Sequence, residues 1–443
     1  MKKSKLFALL LAAAMVFALV ATGCGGGSGD SGADAPSSTG SASTEASGAP
    51  AAESGEKEEI LIGYVAPFTG PLSCFVVAYE WVQNQCLDVI NANGGVYIEA
   101  YDKNLPVRVI IGDSESDPTK ATDVATKMVL DDKVDILMAA WTPDTTNSVS
   151  AVAERYEIPA LMVNSPADSW LTGGPYEWAS GIMFYQDNMM HSYIDSWNKL
   201  DTNKKVGYVF DSEVDGVTMS AKLNELLPQY GYEVVDPGRF PASTTDYTNI
   251  ITQLKNAGCD IIIANQTTPA FTTCWQQFHQ LGYIPKVMTV GKAENFDTDI
   301  AALGNNIGIG LMSEIHWDRS FPYSSSLLGL SCGEICDKWE DENGTQYPFT
   351  IGYDVAGFEV IADALSRCKD LEPATIRDAI LATDIDSLYG HLTFDENQVA
   401  AVPIPCGQWI EGEKWEIEKI ITGTYELEGV ETVQPIYMPG SEG

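Results

Sequence analysis

The side chains able to do chemistry are scarce in some classes and crowded in others. Four histidines in 443 residues leave little material for imidazole-based metal or acid–base work. The nine cysteines form no CxxC pair and no Cys/His spacing of the zinc-binding kind. Cys332 and Cys336, four apart, would share one face of a helix, the usual sign of two small buried residues. The folded part holds no GxSxG, HExxH, Walker A or GxGxxG. Carboxylates, in contrast, abound: 62 acidic residues against 25 basic give a net charge of −37. In so acidic a chain, groups such as Asp384/Asp386 and Glu340-Asp341-Glu342 are expected background. Composition therefore leans away from a metalloenzyme, and no cofactor is expected. A surface this negative repels the phosphates of nucleic acid and anionic lipid headgroups, so neither is an expected partner. What remains is a protein that binds something, and the question is where.

The elements that would position such a site alternate along the chain. Residues 60–67 form a β-branched-rich strand ending at the turn Thr69-Gly70-Pro71, followed by a helix over 79–93 with Tyr79, Val82, Cys86, Val89 and Ile90 on one face. Residues 106–112 read as a strand, and Asp117-Pro118 as an N-cap with proline at the first helical position. A strand at 134–139, a helix at 145–155 and a strand at 159–163 complete one α/β unit. The rhythm restarts with strands at 205–210, 232–240, 261–264 and 287–290, separated by helices at 216–230, 247–257 and 268–281. Two such units in series predict an α/β protein of two lobes, each a parallel β-sheet flanked by helices. Ligand sites of open parallel sheets lie beyond the carboxyl ends of the strands. That rule gathers 67–75, 140–144, 165–170, 211–216, 265–268 and 291–295 around one cleft.

The N-terminus carries an address. Lys2, Lys3 and Lys5 precede an uncharged apolar run over 6–21, short for a membrane span and suited to a signal peptide over 1–23. Ala21-Thr22-Gly23-Cys24 resembles the bacterial lipobox, with Ala21 where leucine is commoner, and implies lipidation of Cys24. Of the 34 residues at 25–58, 27 are Gly, Ala, Ser, Thr or Pro, so this stretch is expected to be a flexible tether. Together they predict a lipid-anchored protein on the outer face of the cytoplasmic membrane, at the cell surface or in the periplasm.

Six segments carry a family resemblance: IGYVAPFTGPLS at 62–73, VINANGG at 89–95, DSESDPTKATDVATKMVLDDKVDIL at 113–137, IPALMVNSPADS at 158–169, TTDYTNIITQLKNAGCDIIIANQ at 244–266 and RDAILATDIDSLYGHLTFDENQ at 377–398. In this order and spacing the chain resembles the type I periplasmic binding proteins of the leucine/isoleucine/valine-binding group, the substrate-binding components of ABC transporters. The resemblance implies a three-crossover hinge, with lobe 1 from 59–186 plus 317–397, lobe 2 from 187–316 plus 398–443, and hinges near Gln186, His316 and Gln398. It also implies capture of a small molecule, an amino acid or amino-acid-like compound, by a monomer that delivers it to ABC permease subunits.

The resemblance further implies which residues bind. Thr142, Ser165, Ala167 and Ser169 stand where hydroxyls and backbone N–H groups hold a ligand carboxylate. Thr142 could equally cap its own helix. Asp168 departs from the pattern, since a carboxylate there repels a carboxylate ligand unless it turns outward or meets an amine. Phe75 and Trp141 would wall the pocket, with Trp170 more at home in the core. In the second lobe Asp215, Thr267 and Glu294 fall near contact positions, Glu294 being the natural partner for an ammonium. The added acids keep a second ligand class in view, an amide, urea-like compound or cationic amine. Competing readings are a ligand-binding sensor, and a hydrolase using two of Asp144, Asp168, Asp215 and Glu294; the absence of catalytic motifs favours a non-enzyme.

Overall fold

The computed structural model describes residues 57–425 and 427–441. The signal peptide, Cys24 and nearly all of the tether lie outside the described residues. Lys57, which composition assigns to the tether, already pairs with Asp135 at 2.6 Å.

The first sheet is built from Val399–Ala401, Ala179–Phe184, Ala160–Pro166, Ile136–Ala140, Ile60–Ala66 and Val107–Asp113, in that spatial order and all parallel. Its strands read as near-continuous apolar runs because both faces are covered. Alternate residues serve different cores. Ile136 and Met138 pack with Tyr64 and Val82 on one face, while Leu137 and Ala139 pack with Ala121, Ala125 and Val149 on the other. Helix Thr350–Arg367 lies on the first of these faces, buried along most of its length. Asp117 caps helix Pro118–Lys127 as expected, its carboxylate accepting from the Thr119 and Lys120 N–H groups.

The second sheet runs Arg239–Phe240, Lys205–Asp211, Ile261–Asn265, Val287–Gly291, Met312–Glu314, Cys406–Glu411 and Ile417–Gly423. Its first five strands are parallel, but the last two are antiparallel additions, so this sheet is mixed. The single strand expected over 232–240 is two short ones, Glu233–Val235 and Arg239–Phe240. The break falls at Asp236-Pro237-Gly238, where Gly238 has φ 97° and proline has no N–H to give the ladder.

The chain crosses between sheets three times. The first two crossings follow Phe184 and Glu314, close to the expected Gln186 and His316. The third comes later than Gln398, because Val399–Ala401 still pairs with Gly181–Met183 of the first sheet. Among the described residues no helix is long and apolar enough to cross a membrane, and none of the eight described cysteines is in a disulfide. Cys332 and Cys336 are both buried on helix Cys332–Asn343, as their spacing predicts.

Candidate functional site

The carboxyl ends of the two sheets converge on a cavity of about 470 Å³, counting its open mouth. Phe75, Trp141, Thr142, Ser165 and Asp215, all expected there, line it. Ala167, Asp168, Ser169, Thr267 and Glu294 do not.

On the first lobe, strand Ile136–Ala140 runs into Trp141 and Thr142, whose φ angles are 63° and 75°. Left-handed backbone is unusual for bulky and β-branched residues, and two in succession store strain of the kind found at functional sites. The conformation puts Thr142 at the start of helix Pro143–Tyr156 without making a side-chain cap. Its hydroxyl is instead buried at the cavity with no hydrogen-bond partner, so capping does not account for it. Asn164 is also left-handed, at φ 52°, and the ladder slips between Val163 and Pro166. That irregularity turns Ser165 to the cavity, where its hydroxyl too has no partner. Phe75 stacks on Trp141 at 5.6 Å and meets Phe296 of the second lobe edge-on at 5.7 Å. Trp170 is core: its indole donates to Ser150 and its ring stacks on Tyr176.

Asp168 and Ser169 point away because the chain starts a helical turn at Ala167. Asp168 accepts from the Gln186 N–H at 2.7 Å and pairs with Lys222 at 2.9 Å. Ser169 meets the Thr218 hydroxyl at 2.7 Å. Lys222 and Thr218 sit on helix Val214–Leu226 beside the second sheet, so these contacts fasten lobe to lobe.

On the second lobe, Asp215 lies in the first turn of that helix. One of its oxygens accepts from the Gly216 N–H, and the other is 3.3 Å from the Lys292 ammonium. Burial opposes the charge on Lys292, but Asp215, Asp144, Asp211 and Glu213 outweigh it and hold the ammonium well above the ordinary lysine range. Glu314 is saturated, accepting from Tyr193 at 2.6 Å, the Lys292 N–H at 2.9 Å and Asn295 at 3.1 Å. Burial alone would raise its carboxyl; hydrogen bonds from His316 and Tyr193 prevail and hold it at about 2. Burial lowers the pKa of His316, which stacks on Phe349 at 4.7 Å and approaches Asn164 at 3.4 Å.

Glu294 departs most from expectation. It is fully buried behind the cavity wall, its carbonyl accepting from the Trp409 indole at 2.7 Å. Burial, aided by Asp299, pushes its carboxyl up to about 8. Thr267 is the N-cap residue of helix Thr268–Gln280. The cavity residues that sequence reasoning missed include Lys292, Gln186, Asn265, Glu314 and His316. Gln186 and His316 were legible only as hinge positions, and Asn265 and Lys292 only as parts of strand-end loops. A second cavity of similar size adjoins this one across Glu314 and His316, among Phe296, Trp317, Tyr347 and Lys419. None of the expected binding residues lines it.

Two α/β lobes, three crossings and a cavity between strand ends define a two-lobed binding protein of the type I architecture. The chain belongs to the periplasmic binding protein family, whose model matches residues 59–414. Among its relatives is Leu/Ile/Val-binding protein homolog 7 of Brucella abortus, 21% identical over 374 residues, covering 80% of this chain and 90% of that protein. Solved structures share the fold. A leucine-binding protein from Thermotoga maritima superposes with a TM-score of 0.68 at 18% identity, covering 81% of this chain and 97% of that one. A Rhodopseudomonas palustris solute-binding protein of an ABC transporter, in complex with p-hydroxybenzoic acid, gives 0.67 at 17% identity, covering 84% and 98%.

Proposed function

We propose that this protein is an extracytoplasmic substrate-binding component of an ABC importer, capturing a small carboxylate-bearing solute between closing lobes and passing it unaltered to permease subunits. The amino-acid and amino-acid-like compounds that the sequence resemblance implies fall in this class. The observation that carries the reading is the pair of buried, unpartnered hydroxyls of Thr142 and Ser165 in an aromatic-walled cavity to which both lobes contribute. Buried polar groups without partners are costly, and a ligand carboxylate would satisfy both at once with charge-assisted bonds. Closing the lobes would complete the enclosure, with hinge segments near Gln186, His316 and 402–405 absorbing the backbone change. Lipidation of Cys24 would keep the monomeric carrier on the outer face of the cytoplasmic membrane beside its permease. Intact-mass analysis of the membrane-bound protein checks that, an unmodified Cys24 counting against it.

The test of binding is a thermal-shift screen of the full chain against amino acids, aromatic acids, amides and urea. A solute that binds only the folded state stabilises it by ~2.7 kcal/mol at 100 times Kd. A carboxylate should raise the melting temperature and be recovered unchanged. A screen in which only non-acidic compounds do so would overturn the carboxylate assignment, and chemical turnover would overturn the carrier role.

A further inference from the structure

The charged groups that line the second-lobe wall of the cavity already have partners. Asp215, the acid best placed to receive a ligand ammonium, is paired with Lys292, and both side chains are nearly buried, 6% and 7% exposed. Glu314 already accepts from Tyr193, Asn295 and a backbone N–H. Glu294 is off the cavity. Asp144, Asp211 and Glu213 surround Lys292 but do not line the space. The acceptors left over on this wall are neutral: the amide oxygens of Gln186 and Asn265, both buried without a partner. The Gln186 amide orientation is set by its NH₂ group, which donates to the Asp215 carbonyl at 3.3 Å. Its free atom is therefore an acceptor.

We infer that Lys292 is an internal counter-ion standing in for a ligand ammonium, so that the solute is a carboxylate whose other polar group is an uncharged hydrogen-bond donor, a hydroxyl or amide, and not a zwitterion. This rests on the carboxylate-binding role proposed above for Thr142 and Ser165. An ammonium entering here would find Asp215, the one acid lining the space that could receive it, already held by Lys292 at 3.3 Å, and two ammoniums sharing one carboxylate repel each other at close range. A hydroxyl or amide N–H would satisfy Gln186 or Asn265 with no such conflict. The apolar share of the wall, from Phe75, Trp141, Phe184 and Met189, suits an aromatic or branched aliphatic body.

Isothermal titration calorimetry on the full chain with matched acids tests the inference. The pairs are phenyllactate and phenylalanine, 2-hydroxy-4-methylpentanoate and leucine, and 4-hydroxybenzoate and 4-(aminomethyl)benzoate. In the pair that binds best, the hydroxyl member should bind at least tenfold more tightly; equal or tighter binding of the ammonium member overturns the inference. Lys292→Met should move the preference at least tenfold toward the ammonium member. If a folded Lys292→Met protein loses both members equally, Lys292 holds the ligand carboxylate itself and the counter-ion role is wrong. Should that variant not fold, the wild-type comparison decides alone. Binding of none of the six, with some other solute found in the thermal-shift screen, refutes this inference and leaves the carrier role standing. Binding of nothing in either experiment refutes both.

Discussion

Replacing Glu294 by glutamine should make the protein more stable at alkaline pH while changing little at pH 5. Glu294 is fully buried, and burial moves its carboxyl from an ordinary 4.5 to about 8. The folded protein therefore keeps this proton across a range in which the unfolded chain has lost it. Because the native state binds more protons there, the free energy of unfolding falls as pH rises. The contribution is complete below about pH 4.5, shrinks progressively above it, and is gone once pH passes the folded value near 8. A span of about 3.5 pH units at ~1.4 kcal/mol each sets an upper bound of roughly 5 kcal/mol. Local relaxation and water entry reduce that, so about 2–4 kcal/mol is the working expectation between pH 5 and 9. Glutamine keeps the shape and has no proton to lose. Urea unfolding of both proteins across this range reads the difference directly. The wild-type curve should fall more steeply, and the two should diverge with rising pH. Asp211 and Glu359, each raised to about 7 mainly by burial, tilt both curves alike and cancel in the comparison. Parallel curves would refute the reasoning, since they would mean that Glu294 is ionised in the folded protein at neutral pH.

Asp168→Asn and Lys222→Met should each weaken ligand binding a fewfold by loosening the contact between lobes. The pair is partly exposed, so about 1 kcal/mol is expected, and a double-mutant cycle on Kd should show the two effects to be non-additive. Thr142→Ala should cost about tenfold in affinity, ~1.4 kcal/mol, with a melting temperature for the free protein no lower than that of wild type, since the hydroxyl removed is buried without a partner; a matching loss of stability would make Thr142 structural. Gly352→Ala should destabilise by roughly 1–3 kcal/mol despite alanine's better helix propensity. A Cβ there would lie 2.2 Å from the buried Trp317 ring, and circular dichroism melting would report it.

Much of the fold was legible because parallel strands covered on both faces must be apolar throughout, and the helices between them must carry a stripe. Residues 60–66, 205–211 and 261–265 show this plainly. The break at Asp236-Pro237-Gly238 carries turn residues, but strand-forming residues on both sides conceal it. Helix Gln186–Trp197 hides differently. Its apolar face, Met189, Met190, Tyr193, Ile194 and Trp197, has helical spacing, but its opening residues are polar and it follows a crossing directly.

The cavity's place follows from where strands end; its chemistry does not. Within each loop, left-handed residues decide which side chain turns inward, and Trp141, Thr142, Asn164, Lys292 and Glu294 all have positive φ without being glycine. Of these five only Asn164 is of a type that favours left-handed backbone, so strain of this sort leaves little signature in residue type. Thus the 291–295 loop could be placed at the site, but that Lys292 faces the cavity while Glu294 is buried behind it depends on local dihedral angles. The Asp168–Lys222 contact joins residues 54 apart in the chain, and only the assembled lobes bring them together.

Native mass spectrometry of the full chain, after exposure to a bacterial metabolite extract and removal of unbound compounds, reads directly whether the protein captures a carboxylate and releases it unaltered. One small carboxylate per chain is expected, released on denaturation with its original mass and absent when Thr142 and Ser165 are both replaced by alanine. A chain that retains no small molecule, or that releases a chemically altered one, would contradict it.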